Sequence, residues 1–218
     1  MNNQSHLLFY TLKNFCCVYK LYKGDTLIFK DDLKCNSLFI VFYGTVYVMK
    51  IFTNGESIFL SLLTSKSVIN FSFSNSNYIH HKIIALENTY LIKFFSVNAI
   101  NSSSYFSNTI NLFNLFSYTL GQYEISSYIL VHKSIKYRII QLLLLLCRQF
   151  GILNYNYVLI PFEISQKTLI NITGGNINAV NRVMNDLVTN LLVKYISKNK
   201  ILVCYFSFFT YLNTNKII

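Results

Sequence analysis

The chain has 218 residues, 53% of them hydrophobic and only 12% charged, with a formal net charge of +11. That balance excludes an intrinsically disordered chain, in which charges are many and apolar residues few, and the length suffices for one large domain or two small ones with ample core. The excess of cations points to an anionic partner, either nucleic acid or a membrane surface.

Arginine occurs only at Arg138, Arg148 and Arg182, proline once and tryptophan never, while Phe, Tyr, Ile, Asn and Lys abound. Those favoured residues have A/T-rich codons, a mark of an AT-rich genome such as that of an organelle. The first residues, Met1 to His6, carry neither an apolar signal core nor an Arg/Ser-rich amphipathic run. An organellar protein of this kind is expected to be made inside the organelle. No apolar run reaches the ~18 residues that a spanning helix needs, so no membrane insertion is expected. Leu142 to Leu146, flanked by Arg138 and Arg148, reads as a core helix. The five cysteines, Cys16, Cys17, Cys35, Cys147 and Cys204, lack metal-ligand spacing. Adjacent Cys16 and Cys17 suit neither zinc nor an iron–sulfur cluster, and reduced, mostly buried thiols are expected.

In chain order, residues 19–95 come first, alternating apolar and polar residues in the manner of an antiparallel β domain. Glycines fall at turn-like places in Lys23-Gly24-Asp25, Tyr43-Gly44-Thr45 and Asn54-Gly55-Glu56. Asn54-Gly55, between Val46-Tyr47-Val48 and Ile58-Phe59-Leu60, predicts a hairpin. Residues 109–135 read as one long helix. Phe113, Phe116, Leu120, Tyr123, Ser127 and Leu130 follow a 3-4-3-4-3 spacing, which is the seam of a two-helix coiled coil or a stripe that packs on the β domain.

Ser165 is a good N-cap ahead of a helical pattern in Leu169 and Ile172. Gly174-Gly175-Asn176 then stops that helix, three residues of types able to take positive φ. Apolar spacing resumes at Val180, Val183, Met184 and Leu187, so 177–190 reads as a second helix. Its opposite face carries Asn178, Asn181, Arg182 and Asn185, side chains that hydrogen-bond base edges and phosphates. Residues 191–196 and 201–206 are expected to pair around the basic tip Ser197-Lys198-Asn199-Lys200. Helix, glycine turn, polar helix and basic hairpin together outline a winged helix-turn-helix.

These residues resemble the CRP/FNR family of transcription regulators, and within it the NtcA-like nitrogen regulators, including those encoded in red-algal plastid genomes. The match includes Ile164-Ser165-Gln166, Gly174, Val180 with Arg182, Asp186-Leu187 and the wing Ile196 to Ile201. A second block runs from Arg138-Ile139-Ile140 through Leu146-Cys147-Arg148-Gln149-Phe150-Gly151. The likeness spans about Tyr19 to Val203, strong after residue 130 and loose before it. It implies an α+β fold: a cyclic-nucleotide-binding-type β-roll sensor over 1–108, a dimerisation helix over 109–135 and a winged helix-turn-helix over 136–218. Without the C-terminal half, the glycine pattern would favour any small β-barrel for the front half.

The resemblance implies a homodimer on double-stranded DNA, with RNA polymerase as a further partner and the plastid stroma as location. The recognition helix would be 177–190, and the DNA-contacting residues expected are Ser165, Gln166, Gly175, Asn176, Asn178, Asn181, Arg182, Lys194, Lys198 and Lys200. Arg182 has an alternative, a surface ion pair with Asp186 four residues on. Relatives often place an Arg at the position of Ile177, and the NtcA-like half-sites form a GTA/TAC palindrome. No nucleophile–base pair, paired carboxylates or phosphate loop stands out, so no catalysis is expected.

The effector pocket departs from the family pattern. Where nucleotide-binding members carry a Phe-Gly-Glu turn and a phosphate-gripping Arg, this chain has Ile69-Asn70-Phe71-Ser72, and no Arg precedes residue 138. An anion needs charge-assisted donors, which Arg supplies as a planar fork. Cyclic AMP is therefore not expected to bind. NtcA-like proteins bind 2-oxoglutarate through arginines, and here Thr119 or Asn114 stands at the helix position. Asn70, Phe71, His81, Lys82 and Thr119 are the residues left to form a pocket; 2-oxoglutarate is expected to bind weakly or not at all, and no cofactor is expected. The alternatives are a ligand-sensing or protein-interaction module with decayed DNA binding, and a peripheral membrane-associated basic protein.

Overall fold

Alternating apolar residues and tight turns build eight strands in the front half of the computed structural model, which describes residues 16–30, 38–70, 80–94, 112–197 and 200–204. The chain divides into two compact units, 1–124 and 125–218. In the first, the strands are β1 (Cys16–Leu21), β2 (Thr26–Lys30), β3 (Leu38–Tyr43), β4 (Val46–Ile51), β5 (Ser57–Leu63), β6 (Val68–Asn70), β7 (His80–Ala85) and β8 (Thr89–Phe94). They form two antiparallel sheets, ordered β1-β8-β3-β6 and β2-β7-β4-β5. The expected hairpin is β4–β5, with Val46 opposite Leu63 and Ile51 opposite Ser57. Asn54 closes its turn by accepting a hydrogen bond from the Glu56 amide (3.0 Å). Because side chains alternate along a strand, one set, including Leu21, Phe39, Val41, Val48, Ile83 and Leu91, gathers into a single buried cluster.

Helix α1 (Leu112–Val131) follows. Leu112, Leu115 and Phe116 pack on Leu38, Ile40, Val68 and Phe94. Tyr123 packs on the strand core, and burial raises the pKa of its phenol. The Thr119 hydroxyl accepts from the Val68 amide (2.8 Å) and donates to the Leu115 carbonyl (2.7 Å), pinning helix to strand. The predicted six-residue seam is therefore split. Phe116 and Tyr123 are spent on the β-roll, while Phe113 and Leu120 remain 78% and 69% exposed. Val131, 74% exposed, continues that uncovered line, with Ser117, Glu124 and Ser127 between. The spacing 113, 117, 120, 124, 127 and 131 is itself a heptad stripe. The helix also stops at Val131 rather than running to 135, because residues 132–134 break it before the next helix.

In the second unit α2 (Ile135–Phe150) buries Ile139, Ile140, Leu142, Leu143, Leu145 and Leu146, the core helix expected of that block. Strands β9 (Ile152–Asn154) and β10 (Tyr157–Leu159), helices α3 (Gln166–Thr173) and α4 (Ile177–Thr189), and strands β11 (Val193–Ser197) and β12 (Lys200–Cys204) complete it. The sheet order is β11-β12-β10-β9, and the helices pack on one another through Leu169, Ile172, Val180, Val183 and Leu187. No described helix is long and apolar enough to cross a membrane.

The thiols are less buried than expected. Cys17 is exposed and Cys16, Cys147 and Cys204 are half-buried; Cys35 lies outside the described residues. Burial pushes the Cys147 thiol up to about 12, which keeps it protonated and unreactive at neutral pH.

The wing begins two residues later than the sequence suggests, because residues 190–192 finish α4. The Leu192 amide donates to the Leu187 carbonyl (2.9 Å) and the Leu191 amide to the Val188 carbonyl (3.0 Å), the paired bonds of a Schellman cap. That cap needs a left-handed residue, and here it is Leu191, at φ 58° with 77% of its surface exposed. A side chain in that conformation costs about 1–2 kcal/mol, and this one recovers little by packing. Leu191→Gly should therefore stabilise the protein by about 1 kcal/mol after the greater flexibility of glycine in the unfolded chain is subtracted. Chemical denaturation measures it, and an unchanged or lower midpoint would refute the strain.

Candidate nucleic-acid interface

The helix-turn-helix is held by caps at three ends. The Ser165 hydroxyl accepts from the Thr168 amide (3.1 Å) and shares a hydrogen bond with the Thr168 hydroxyl (2.9 Å). Asn176 caps α4 by accepting from the Ala179 amide (2.8 Å). Between them Gly174 closes α3 in the left-handed conformation (φ 66°), its amide donating to the Ile170 carbonyl (2.9 Å).

The three turn residues thus do three different things, not one. Only Gly174 takes positive φ; Asn176 is extended and caps. Gly175 is small for lack of space, since an added Cβ would meet Val180 Cγ2 at 3.0 Å and Ile135 Cγ2 at 3.2 Å. Gly175→Ala should force these two side chains apart and cost about 1–3 kcal/mol, the range for overpacking. A melting temperature equal to wild type would show that the turn yields.

Asn178, Arg182 and Asn185 are exposed at positions four and three apart on α4, forming one polar edge. Arg182 makes no ion pair among the described residues, Asp186 included, so its guanidinium is presented to solvent. Ile177, exposed at the head of the helix, puts an apolar side chain where the resemblance leads one to look for a cation. Asn181 is half-buried beside this edge. Its Oδ1 is buried without a hydrogen-bond partner among the described residues, which turns part of that amide away from any ligand outside.

Gln166 is exposed in the first turn of α3, and so is its neighbour Lys167, which sequence reasoning passed over. Its place beside Gln166, at the positive end of the helix dipole, was the available signal. On the wing, Lys194 is exposed opposite Leu202, and Lys200 is half-exposed opposite Ser197. Lys198 lies outside the described residues.

Of the five residues considered for an effector pocket, the four that are described are not brought together. Thr119 is buried with its hydroxyl used between α1 and β6. His81 shares the inward face of β7 with Ile83 and Ala85, members of the strand core, whereas Lys82 alternates to the other face. Asn70 shares its face of β6 with Val68, which packs in the cluster beside α1 rather than in the inward core. Phe71 lies outside the described residues. Among the described residues no group of three or more His, Cys, Asp or Glu could hold a metal ion.

No family model matches the chain. It is 28% identical over 184 residues to a Porphyra purpurea protein named as an HTH-type transcriptional regulator, ycf28, a match covering 84% of this chain and 75% of that protein. Among solved structures, a CooA mutant from Carboxydothermus hydrogenoformans superposes with a TM-score of 0.68 at 16% identity, over 93% of this chain and 89% of that one. A cyclic nucleotide-binding domain containing protein from Listeria monocytogenes also reaches 0.68, at 15% identity over 94% and 98%. A CRP/FNR-family transcriptional regulator from Thermus thermophilus gives 0.62 at 15% identity over 86% and 93%. The fold is accordingly the α+β architecture of the CRP/FNR regulators, a β-roll and long helix followed by a winged helix-turn-helix.

Proposed function

We propose that the chain is a CRP/FNR-type transcription regulator that binds double-stranded DNA as a homodimer and catalyses nothing. The observation that carries this is the exposed edge Asn178, Arg182 and Asn185 on a helix whose other face is locked into the core. Base-edge donors on a rigid helix that fits the major groove are the means of direct readout. The uncovered stripe of Phe113, Leu120 and Val131 supplies the self-complementary surface a two-fold dimer needs. The sequence blocks after residue 130 support the finer reading: an NtcA-like regulator of nitrogen-related genes, in the plastid stroma, with RNA polymerase as a further partner.

In this reading cyclic AMP is not an effector and 2-oxoglutarate binds weakly or not at all, since no arginine precedes residue 138 and the remaining polar candidates do not converge. Isothermal calorimetry should detect no heat of binding with cyclic AMP; micromolar affinity would overturn this account of the sensor.

The DNA-binding proposal is tested by mobility shift on plastid promoter duplexes across a salt series, beside sedimentation with anionic liposomes. Selective, salt-dependent retention of promoter DNA is expected. Co-sedimentation with liposomes and no selective shift would favour a peripheral membrane protein instead. Lys194 and Lys200 should contribute phosphate contacts rather than base contacts. Neutralising both should weaken specific and non-specific binding alike and lower the salt slope by about one unit per lost contact. A changed sequence preference at constant slope would contradict that assignment.

A further inference from the structure

We propose that Arg138 is a positioning residue for DNA recognition: its guanidinium ties the end of α1 to the turn of the helix-turn-helix and so sets how α4 is presented. The proposal rests on the DNA-binding reading above. Arg138 lies in the first turn of α2. Its Nε donates to the His132 carbonyl (2.7 Å), one residue past α1, and its Nη1 donates to the Thr173 carbonyl (2.9 Å), on the last residue of α3. Both acceptors stand at helix C-termini, where carbonyls lack intrahelical partners and carry the negative end of the dipole. A guanidinium meets both at once because its donors are held in a fixed plane, and hydrogen bonds from a charged donor are the stronger kind.

The surroundings make this a built contact. Thr173 is fully buried, and its hydroxyl donates to the Leu169 carbonyl (2.7 Å). Gly174 comes next, bending the chain so closely past the guanidinium that an added Cβ would stand 3.4 Å from Nη1. Gly175 rests on Ile135, from the same turn of α2 as Arg138. Asn176, the cap of α4, is only three residues beyond Thr173. Displacement of the last turn of α1 therefore reaches the recognition helix through one side chain.

The test compares full-length wild type with Arg138→Ala and Arg138→Lys by amide hydrogen exchange without DNA. Mobility shifts follow, on the duplex that wild type selects from a random library and on a scrambled one. In Arg138→Ala, exchange over 173–180 should accelerate about tenfold, the scale of losing a charged hydrogen bond, while the α2 core amides of 139–146 hold. Affinity for the selected duplex should fall about tenfold, with scrambled binding and the salt slope unchanged, and Arg138→Lys should recover part of the loss. Three results would overturn the proposal: unchanged exchange over 173–180, uniform acceleration throughout the unit, or parallel loss on both duplexes with a shallower salt slope. The last would make Arg138 a phosphate contact. If wild type selects no duplex, the DNA-binding reading fails by itself, and the exchange pattern still decides whether the clamp exists.

Discussion

Replacing Phe113 and Leu120 together with aspartate should give a folded monomer that no longer retains a duplex carrying two half-sites. Both side chains are largely in solvent in the single chain, so the substitution removes little from its core. In a two-fold dimer the same stripe meets itself, and the change would place like charges against each other in an interface that must be desolvated. A dimer spans half-sites one helical turn apart, ~34 Å, and loses the avidity of simultaneous binding when it dissociates, on the order of 10²–10⁴ in affinity. Phe116 and Tyr123 are unsuitable for this experiment. They belong to the packing of the β-roll, and charging them should impair folding first. Analytical ultracentrifugation with circular dichroism reads the outcome. A folded dimer in the double variant would move the interface away from α1.

Arg182→Ala should abolish selectivity for the preferred duplex while leaving the melting temperature and the oligomeric state nearly unchanged. The side chain is exposed and forms no ion pair among the described residues, so the fold loses little with it. A bidentate contact from its fork to guanine O6 and N7 would contribute about 1–3 kcal/mol of discrimination, between fivefold and more than a hundredfold. Arg182→Lys should restore general affinity and little discrimination, because an ammonium is a point charge without the fork. The comparison is direct: if competition assays find both variants as selective as wild type, Arg182 does not read bases. Arg138→Ala differs in kind, since it should also loosen the turn in the absence of DNA.

Residue identity alone was enough for the order of elements and for several of their ends. Period-2 alternation with Asn54-Gly55 gave the β4–β5 hairpin, Ser165 gave the start of α3, and Val180, Val183, Met184 and Leu187 gave the buried face of α4. These are local facts. A cap bonds an amide three residues away, and a pleat or helix repeats every two or 3.6 residues. The same alternation separates His81 from Lys82, since adjacent residues in one strand cannot face one pocket.

Tertiary structure decided which partner each surface found, a matter of contacts between residues distant in sequence. The stripe on α1 reads alike along its whole width, yet the β-roll takes Phe116 and Tyr123 and leaves Phe113 and Leu120 uncovered. Gly175 resembles a second flexible turn residue until Ile135, forty positions earlier, is found occupying the space of its Cβ. Arg138 reads as one cation of a familiar block until its guanidinium is found on the carbonyls of His132 and Thr173. Hydrophobicity and propensity say that a side chain will be buried or that a helix will end, because those tendencies belong to the residue and its neighbours. They do not say against what, because packing and charged hydrogen bonds are set by which distant atoms the chain brings within reach.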